Sequence, residues 1–165
     1  MRVALIVVLA AVAGACASSG ATPSPFPGAA TPSVRTPGTS TAPVLTSELV
    51  GTALALRGTP YRNGGADVTG FDCSGFVQFV FAQHGLGMPR TVSEQYEGGR
   101  KIRPNELQPG DLVFFRTSGH DTSHVGIALG DDAFVHAPSS TGVVRVEMIS
   151  AKYWASRFVG ARRYQ

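Results

Sequence analysis

The chain has 165 residues, 43% of them hydrophobic and only 15% charged, with a formal net charge of +3. An average domain is about 25% charged, so the shortfall is real, and one stretch explains it: Arg35 is the only charged side chain between Arg2 and Glu48. The length excludes a multi-domain enzyme, the lack of a further apolar run near 20 residues excludes a polytopic membrane protein, and so mild a charge with no aromatic-basic cluster argues against nucleic acid.

Residues 1–15 read as an export signal. Met1-Arg2 precedes an uncharged apolar run from Val3 to Ala13, followed by the small residues Gly14 and Ala15. Val12-Ala13-Gly14-Ala15-Cys16 resembles a bacterial lipoprotein box, with Ala13 where leucine is usual. Cys16 would then be diacylated and become the mature N-terminus, anchoring the chain to a membrane; the plainer alternative is a secretory signal with an incidental cysteine. The chain has two cysteines, Cys16 and Cys73. Lipidation of the first leaves the second as an unpaired thiol in an exported protein, which asks for a chemical role.

Residues 16–46 read as a disordered tether. Ala17 to Thr46 holds six Pro, six Thr, five Ser, five Ala and three Gly, and its few apolar residues have no periodicity. Frequent proline favours extended conformations, giving a reach under roughly 90 Å.

Residues 47–165 are the segment able to build a core. Thr46 or Ser47 can cap a helix running to about Arg57, ended by Gly58. After a turn-rich loop, Thr59 to Gly65, apolar residues at 76, 77, 80 and 81 predict a helix closed by Gly85, with Cys73 at its start. Thr91 and Glu94 suggest a capping box. Five strand candidates follow: Leu112–Phe115, His124–Leu129, Ala133–His136, Val143–Met148 and Arg157–Tyr164. Helices first and strands later predict an α+β domain with a mostly antiparallel sheet of about five strands.

A helix N-terminus favours a thiolate, and a nucleophilic thiol needs a base with an orienting partner. Folding at Gly130-Asp131-Asp132 would bring His124 and His136 opposite or one diagonal apart, within about 5–8 Å, unless the register slips by one. Gly126 leaves room beside them. The alternative readings are a core-filling cysteine, satisfied strand histidines, or three zinc ligands, although the close-spaced ligand pair of structural zinc sites is missing. Asp111 reads as a turn aspartate, His84 as a helix-end cation and His120 as a loop residue. Lys152, Arg157, Arg162 and Arg163 read as a solvated face, and Arg90 and Gln95 as possible substrate contacts.

Phe71-Asp72-Cys73-Ser74-Gly75-Phe76-Val77-Gln78, Leu107 to Phe114, Ser123-His124-Val125-Gly126-Ile127 and Phe134-Val135-His136-Ala137 closely resemble the NlpC-type cysteine peptidases, a family of papain-like cell-wall endopeptidases. The resemblance runs from about Leu54 to Tyr164. It implies a papain-like fold and a Cys-His-His triad: Cys73 the nucleophile, His124 the general base and acid, His136 the residue orienting His124. Tyr61 matches the family's tyrosine near the thiolate, helping the Cys73 N–H form an oxyanion hole, while Asp72 and Ser74 match positions lining the stem-peptide site. No metal or cofactor is implied. The implied protein is a monomeric peptidoglycan endopeptidase, lipid-anchored at the periplasmic side of an outer membrane. It would cut the D-alanyl–diaminopimelate cross-link, toward which the resemblance leans, or the D-glutamyl–diaminopimelate bond. The rival expectations are a catalytically silent wall-binding lipoprotein and an amidase or acyltransferase on the same scaffold.

Overall fold

The computed structural model describes residues 42–164; the expected signal segment, Cys16 and almost all of the expected tether lie outside them. Helix α1 spans Ala42–Ala55, starting ahead of the expected cap at Thr46 or Ser47. Pro43 falls in its first turn, where a missing N–H breaks no helical bond. The chain reverses at Gly58 (φ 87°), whose N–H donates to the Val144 carbonyl at 2.9 Å. A two-stranded ribbon follows, β1 (Ala66–Asp67) against β2 (Gly70–Phe71). Helix α2 (Cys73–Ala82) comes next, then α3 (Val92–Glu97), opened by the reciprocal Thr91–Glu94 capping box.

The main sheet has six strands in the order β3-β8-β4-β5-β6-β7, every neighbouring pair antiparallel. They are β3 (Arg100–Ile102), β4 (Leu112–Phe115), β5 (His124–Gly130), β6 (Ala133–His136), β7 (Arg145–Met148) and β8 (Phe158–Arg163), with the single-turn helix α4 (Lys152–Ala155) before β8. This is one strand more than the sequence suggested. Arg100-Lys101-Ile102 is too short and too charged to show an alternating pattern, and it is a strand because β8 offers it a partner.

Alternation along the strands sends side chains to two cores. Leu112, Phe114, Val125, Ile127 and Val135 meet Leu49 and Ala53 of α1 and Phe76, Val77, Val80 and Phe81 of α2. Val113, Phe115, Ala128, Phe134 and Ala161 form the second cluster with Trp154. Each fully buried phenylalanine contributes about 2 kcal/mol of apolar transfer.

Asp111 is both a turn aspartate and the partner of a buried ion pair. It accepts from the Gln108 N–H at 2.8 Å, and Arg163 donates to it through two nitrogens at 2.6 and 2.7 Å. Arg162 lies 4.0 Å over the Tyr96 ring and Arg157 3.9 Å over Tyr153. The basic C-terminal run is therefore largely docked onto the fold rather than simply solvated. His84 is joined to Thr52 at 2.9 Å, between α2 and α1, whereas His120 sits in an exposed loop.

Candidate active site

Helix α2 starts where it does because of Asp72. That residue is extended (φ −88°, ψ 176°), and its Oδ1 accepts from the Gly75 N–H at 2.7 Å, satisfying one of the helix's unpaired donors. Cys73 is thus the first residue of the helix. Gly65 lies directly on this first turn: its carbonyl accepts from the Asp72 N–H at 3.0 Å, and a Cβ on Gly75 would come within 2.0 Å of the same oxygen.

Asp72 is also gripped by Arg90. The guanidinium donates to Oδ1 at 3.0 Å and to Oδ2 at 2.5 Å, and reaches the Ser74 hydroxyl at 2.9 Å. Burial raises the Asp72 pKa, but the Arg90 fork, the Gly75 N–H and the Ser74 hydroxyl outweigh it and hold the carboxyl below its usual range. Asp72 and Ser74, two of the expected substrate-site residues, thus stand beside Cys73 with their polar atoms already joined to each other and to Arg90. Gln95 is fully buried, its amide donating to the carbonyls of Ser74 (3.1 Å) and Pro89 (2.7 Å). It supports this first turn from beneath, away from any substrate.

Tyr61 is bridged to Phe71, and its N–H donates to Gly142 at 2.7 Å. Burial raises its phenol pKa, and Cys73 and Asp72 raise it further, which places the ring within electrostatic range of the thiol.

The histidines come from the β5–β6 hairpin. Its turn uses Asp131 (φ 47°) and Asp132 (φ 68°), two positive-φ residues of the kind that match strand twist. The register pairs Ile127 with Val135 and Ala128 with Phe134, then shifts at a bulge before Gly130. Continuing that register, His136 faces Gly126 and His124 lies on the diagonal, the second of the two expected arrangements. A Cβ on Gly126 would come within 3.0 Å of the His136 Cβ and 2.9 Å of the Val135 carbonyl, so glycine is needed here for space. The diagonal closes on a hydrogen bond: His124 Nε2 and His136 Nδ1 are 2.7 Å apart, with the rings nearly perpendicular. Two zinc ligands, each about 2.0–2.1 Å from a tetrahedral ion, stand well over 3 Å apart, so this spacing belongs to a direct bond and not to a shared metal.

The Val125 N–H, next to His124, acts on the Cys73 thiol and favours its ionised form, which puts the sulfur near the start of β5. Burial pushes the thiol up to about 11, against the pull of the Val125, Ser74 and Cys73 N–H groups. The helix end therefore does not make a resting thiolate, contrary to what its position alone suggested: Cys73 is partly exposed as a residue, but desolvation of sulfur outweighs the helix field. Burial likewise pushes His124 down to about 4, and lowers His136 further with help from His124 and Arg145. At neutral pH the pair rests as thiol and neutral imidazole. A thiol and a neutral imidazole can serve as nucleophile and base only where the thiol proton passes to the imidazole.

Trp154 and Glu147 were not singled out by sequence. Trp154 stacks on His124 at 5.4 Å and meets His136 edge-on at 4.9 Å. It is the only tryptophan in the chain, but nothing in its spacing ties it to strands that end eighteen or more residues earlier.

The buried histidines make acid stability a test. The folded value of His124 is depressed from about 6.5 to about 4, so the unfolded chain binds the extra proton between those values. Stability is fully present above pH 6.5 and declines as pH falls toward 4, by about 3 kcal/mol for His124 alone. Thermal melts at neutral pH and near pH 4.5 should show the drop; identical melting temperatures would contradict a buried neutral His124.

The NlpC/P60 family model matches residues 58–163. The chain belongs to the NlpC/P60 family. Over 108 residues, 65% of the chain, it is 45% identical to the murein DD-endopeptidase MepS/murein LD-carboxypeptidase of Escherichia coli K12. Over 119 residues it is 37% identical to a gamma-DL-glutamyl hydrolase of Bacillus subtilis strain 168. The matches span 56% and 29% of those relatives' lengths, so this chain corresponds to little more than half of either at most. Among solved structures, the NlpC/p60 domain of the peptidoglycan hydrolase SagA superposes with a TM-score of 0.64 at 34% identity, covering 72% of this chain and 98% of that one. The α+β papain-like fold expected from sequence is thereby shown, and every site residue discussed above lies inside the matched NlpC/P60 region.

Proposed function

We propose that this NlpC/P60 domain is a thiol-dependent peptidoglycan endopeptidase. One observation carries the reading: a cysteine at the capped first turn of α2 abuts the start of β5, where His124 is hydrogen-bonded through Nε2 to a second buried histidine. That arrangement supplies a nucleophile, a neutral base and a group to orient the base. Cys73 attacks the amide carbonyl while its proton passes to His124. The imidazolium then protonates the leaving amine, and water releases the acyl-enzyme by the reverse route. In this reading Tyr61 and the Cys73 N–H are the donors that hold the oxyanion; one such donor is typically worth about 10²–10³ in rate.

The names of the relatives support murein as the substrate. Between the two bonds, we favour the D-alanyl–diaminopimelate cross-link. The name of the Escherichia coli relative, a murein DD-endopeptidase, supports that choice. The reading includes a lipid anchor at Cys16, with residues 16–46 presenting the domain to the wall from the membrane.

Purified peptidoglycan, digested by the full chain with fresh thiol and read by mass, tests this. Cross-linked dimers converted to monomeric stems support cross-link cleavage, whereas stems cut after D-glutamate assign the other bond. Muropeptides returned unchanged would overturn the proposal and leave a silent wall-binding protein as the better account.

A further inference from the structure

His136 is bonded to His124 through Nδ1, and its other nitrogen, Nε2, is buried with no hydrogen-bond partner. The polar atom it faces is Oε2 of Glu147, 3.8 Å away, too far for a hydrogen bond but close for a charge in a buried setting. Glu147 reaches this position by register. In the β6/β7 ladder Arg145 pairs with His136 and Glu147 with Phe134, so the carboxylate lies on the diagonal of the same sheet face. Two further contacts hold it: Oε1 is 3.1 Å from the Arg145 guanidinium, and Oε2 accepts from the Trp154 indole N–H.

The hydrogen bond between the two imidazoles can be made in two ways, and they are not equivalent. If His136 donates from Nδ1, its Nε2 carries a lone pair, and His124 must carry its own proton on Nδ1, where it cannot accept one from a thiol. If His124 donates from Nε2, His136 carries its proton on Nε2, and His124 Nδ1 is left as an acceptor. A carboxylate facing Nε2 repels a lone pair and attracts an N–H, so it selects the second arrangement. The charged groups around His136 act in opposite senses. His124 on β5 and Arg145 on β7 oppose a positive charge on it, and Glu147 favours one. Arg145 is itself bonded to Glu147, and Trp154 from α4 is uncharged.

We propose that Glu147 is a positioning residue that holds His136 in its Nε2–H tautomer and so keeps His124 Nδ1 free to accept the Cys73 proton. The proposal rests on the reading of Cys73 as nucleophile, and its test separates the two. In the ¹⁵N-labelled full chain, imidazole nitrogen shifts should show both His124 and His136 protonated on Nε2. E147L should shift His136 toward the Nδ1–H form and slow iodoacetamide alkylation of Cys73 near neutral pH by about 10-fold, the lower end for loss of an outer-shell partner. E147D should restore most of the rate. E147Q, of the same shape without the charge, should fall between them and covers the case in which E147L does not fold. A His136 found protonated on Nδ1 in the unaltered protein would overturn the proposal. So would folded E147L or E147Q with unchanged tautomer and alkylation rate, since a purely structural Glu147 would move only the melting temperature. If Cys73 of the unaltered chain is no more reactive than a model thiol, the nucleophile reading fails, while the nitrogen shifts still decide the role of Glu147.

Discussion

His124→Ala is expected to reduce peptidoglycan turnover by about 10⁴-fold or more, the scale seen when one member of a nucleophile–base unit is removed. The reason lies in the resting state of the site. With its thiol pushed up to about 11, Cys73 is almost wholly protonated at neutral pH, and the proposed attack depends on a base that takes the proton during the step. Iodoacetamide reports this without any assumption about substrate. The unaltered chain should be alkylated at Cys73 near neutral pH with His124 assisting. The variant should react slowly there, speeding up only as alkali ionises the thiol toward its own high value. In the unaltered chain, reactivity should be lost on the acid side as pH falls through about 4, where His124 takes up a proton and can no longer accept one. Equal neutral-pH labelling of variant and unaltered chain would remove His124 from the mechanism.

Gly75→Ala is expected to be the most damaging small change to the fold near the site. The added methyl would come within 2.0 Å of the Gly65 carbonyl and 3.0 Å of Asp72 Oδ1. Neither neighbour can swing aside. Gly65 is backbone and accepts the Asp72 N–H, and Asp72 is fixed by the Gly75 N–H and the Arg90 fork. The loop carrying Gly65 and Tyr61 would have to lift off the first turn of α2, at a cost of about 4 kcal/mol or more, in the range reserved for gross steric faults. Denaturant melts should show the loss. A variant that folds should still lose activity, because the cap holding Cys73 would be displaced. Normal stability and turnover would mean that the loop and helix are not packed as described.

Much of this site could be read without coordinates, for local reasons. The α2 periodicity, the Thr91–Glu94 box and the glycine-bearing turn between two histidine-carrying strands are short-range patterns, and short-range geometry dictates them. Register was less secure. Counting from the turn allowed His124 and His136 to be opposite or diagonal, and the bulge at Ala128–Gly130 together with the space above Gly126 selects the diagonal. Other features left no local trace. Arg90 is eighteen residues from Asp72 and Arg163 fifty-two from Asp111, and no spacing rule links such partners. Arg100–Ile102 becomes a strand only because β8 lies beside it.

The residue types and their order in the chain were enough to define an α+β NlpC/P60 domain with a cysteine at a helix start and two histidines on a hairpin, because capping, alternation and turn chemistry act over a few residues. Protonation was beyond their reach. A helix N-terminus favours a thiolate, yet enclosure by two cores raises the thiol and lowers the imidazoles. Desolvation depends on everything packed around a group, so it is set by the tertiary structure. The same packing brings Glu147 and Trp154 to the histidines from a strand and a helix that no nearby residue announces.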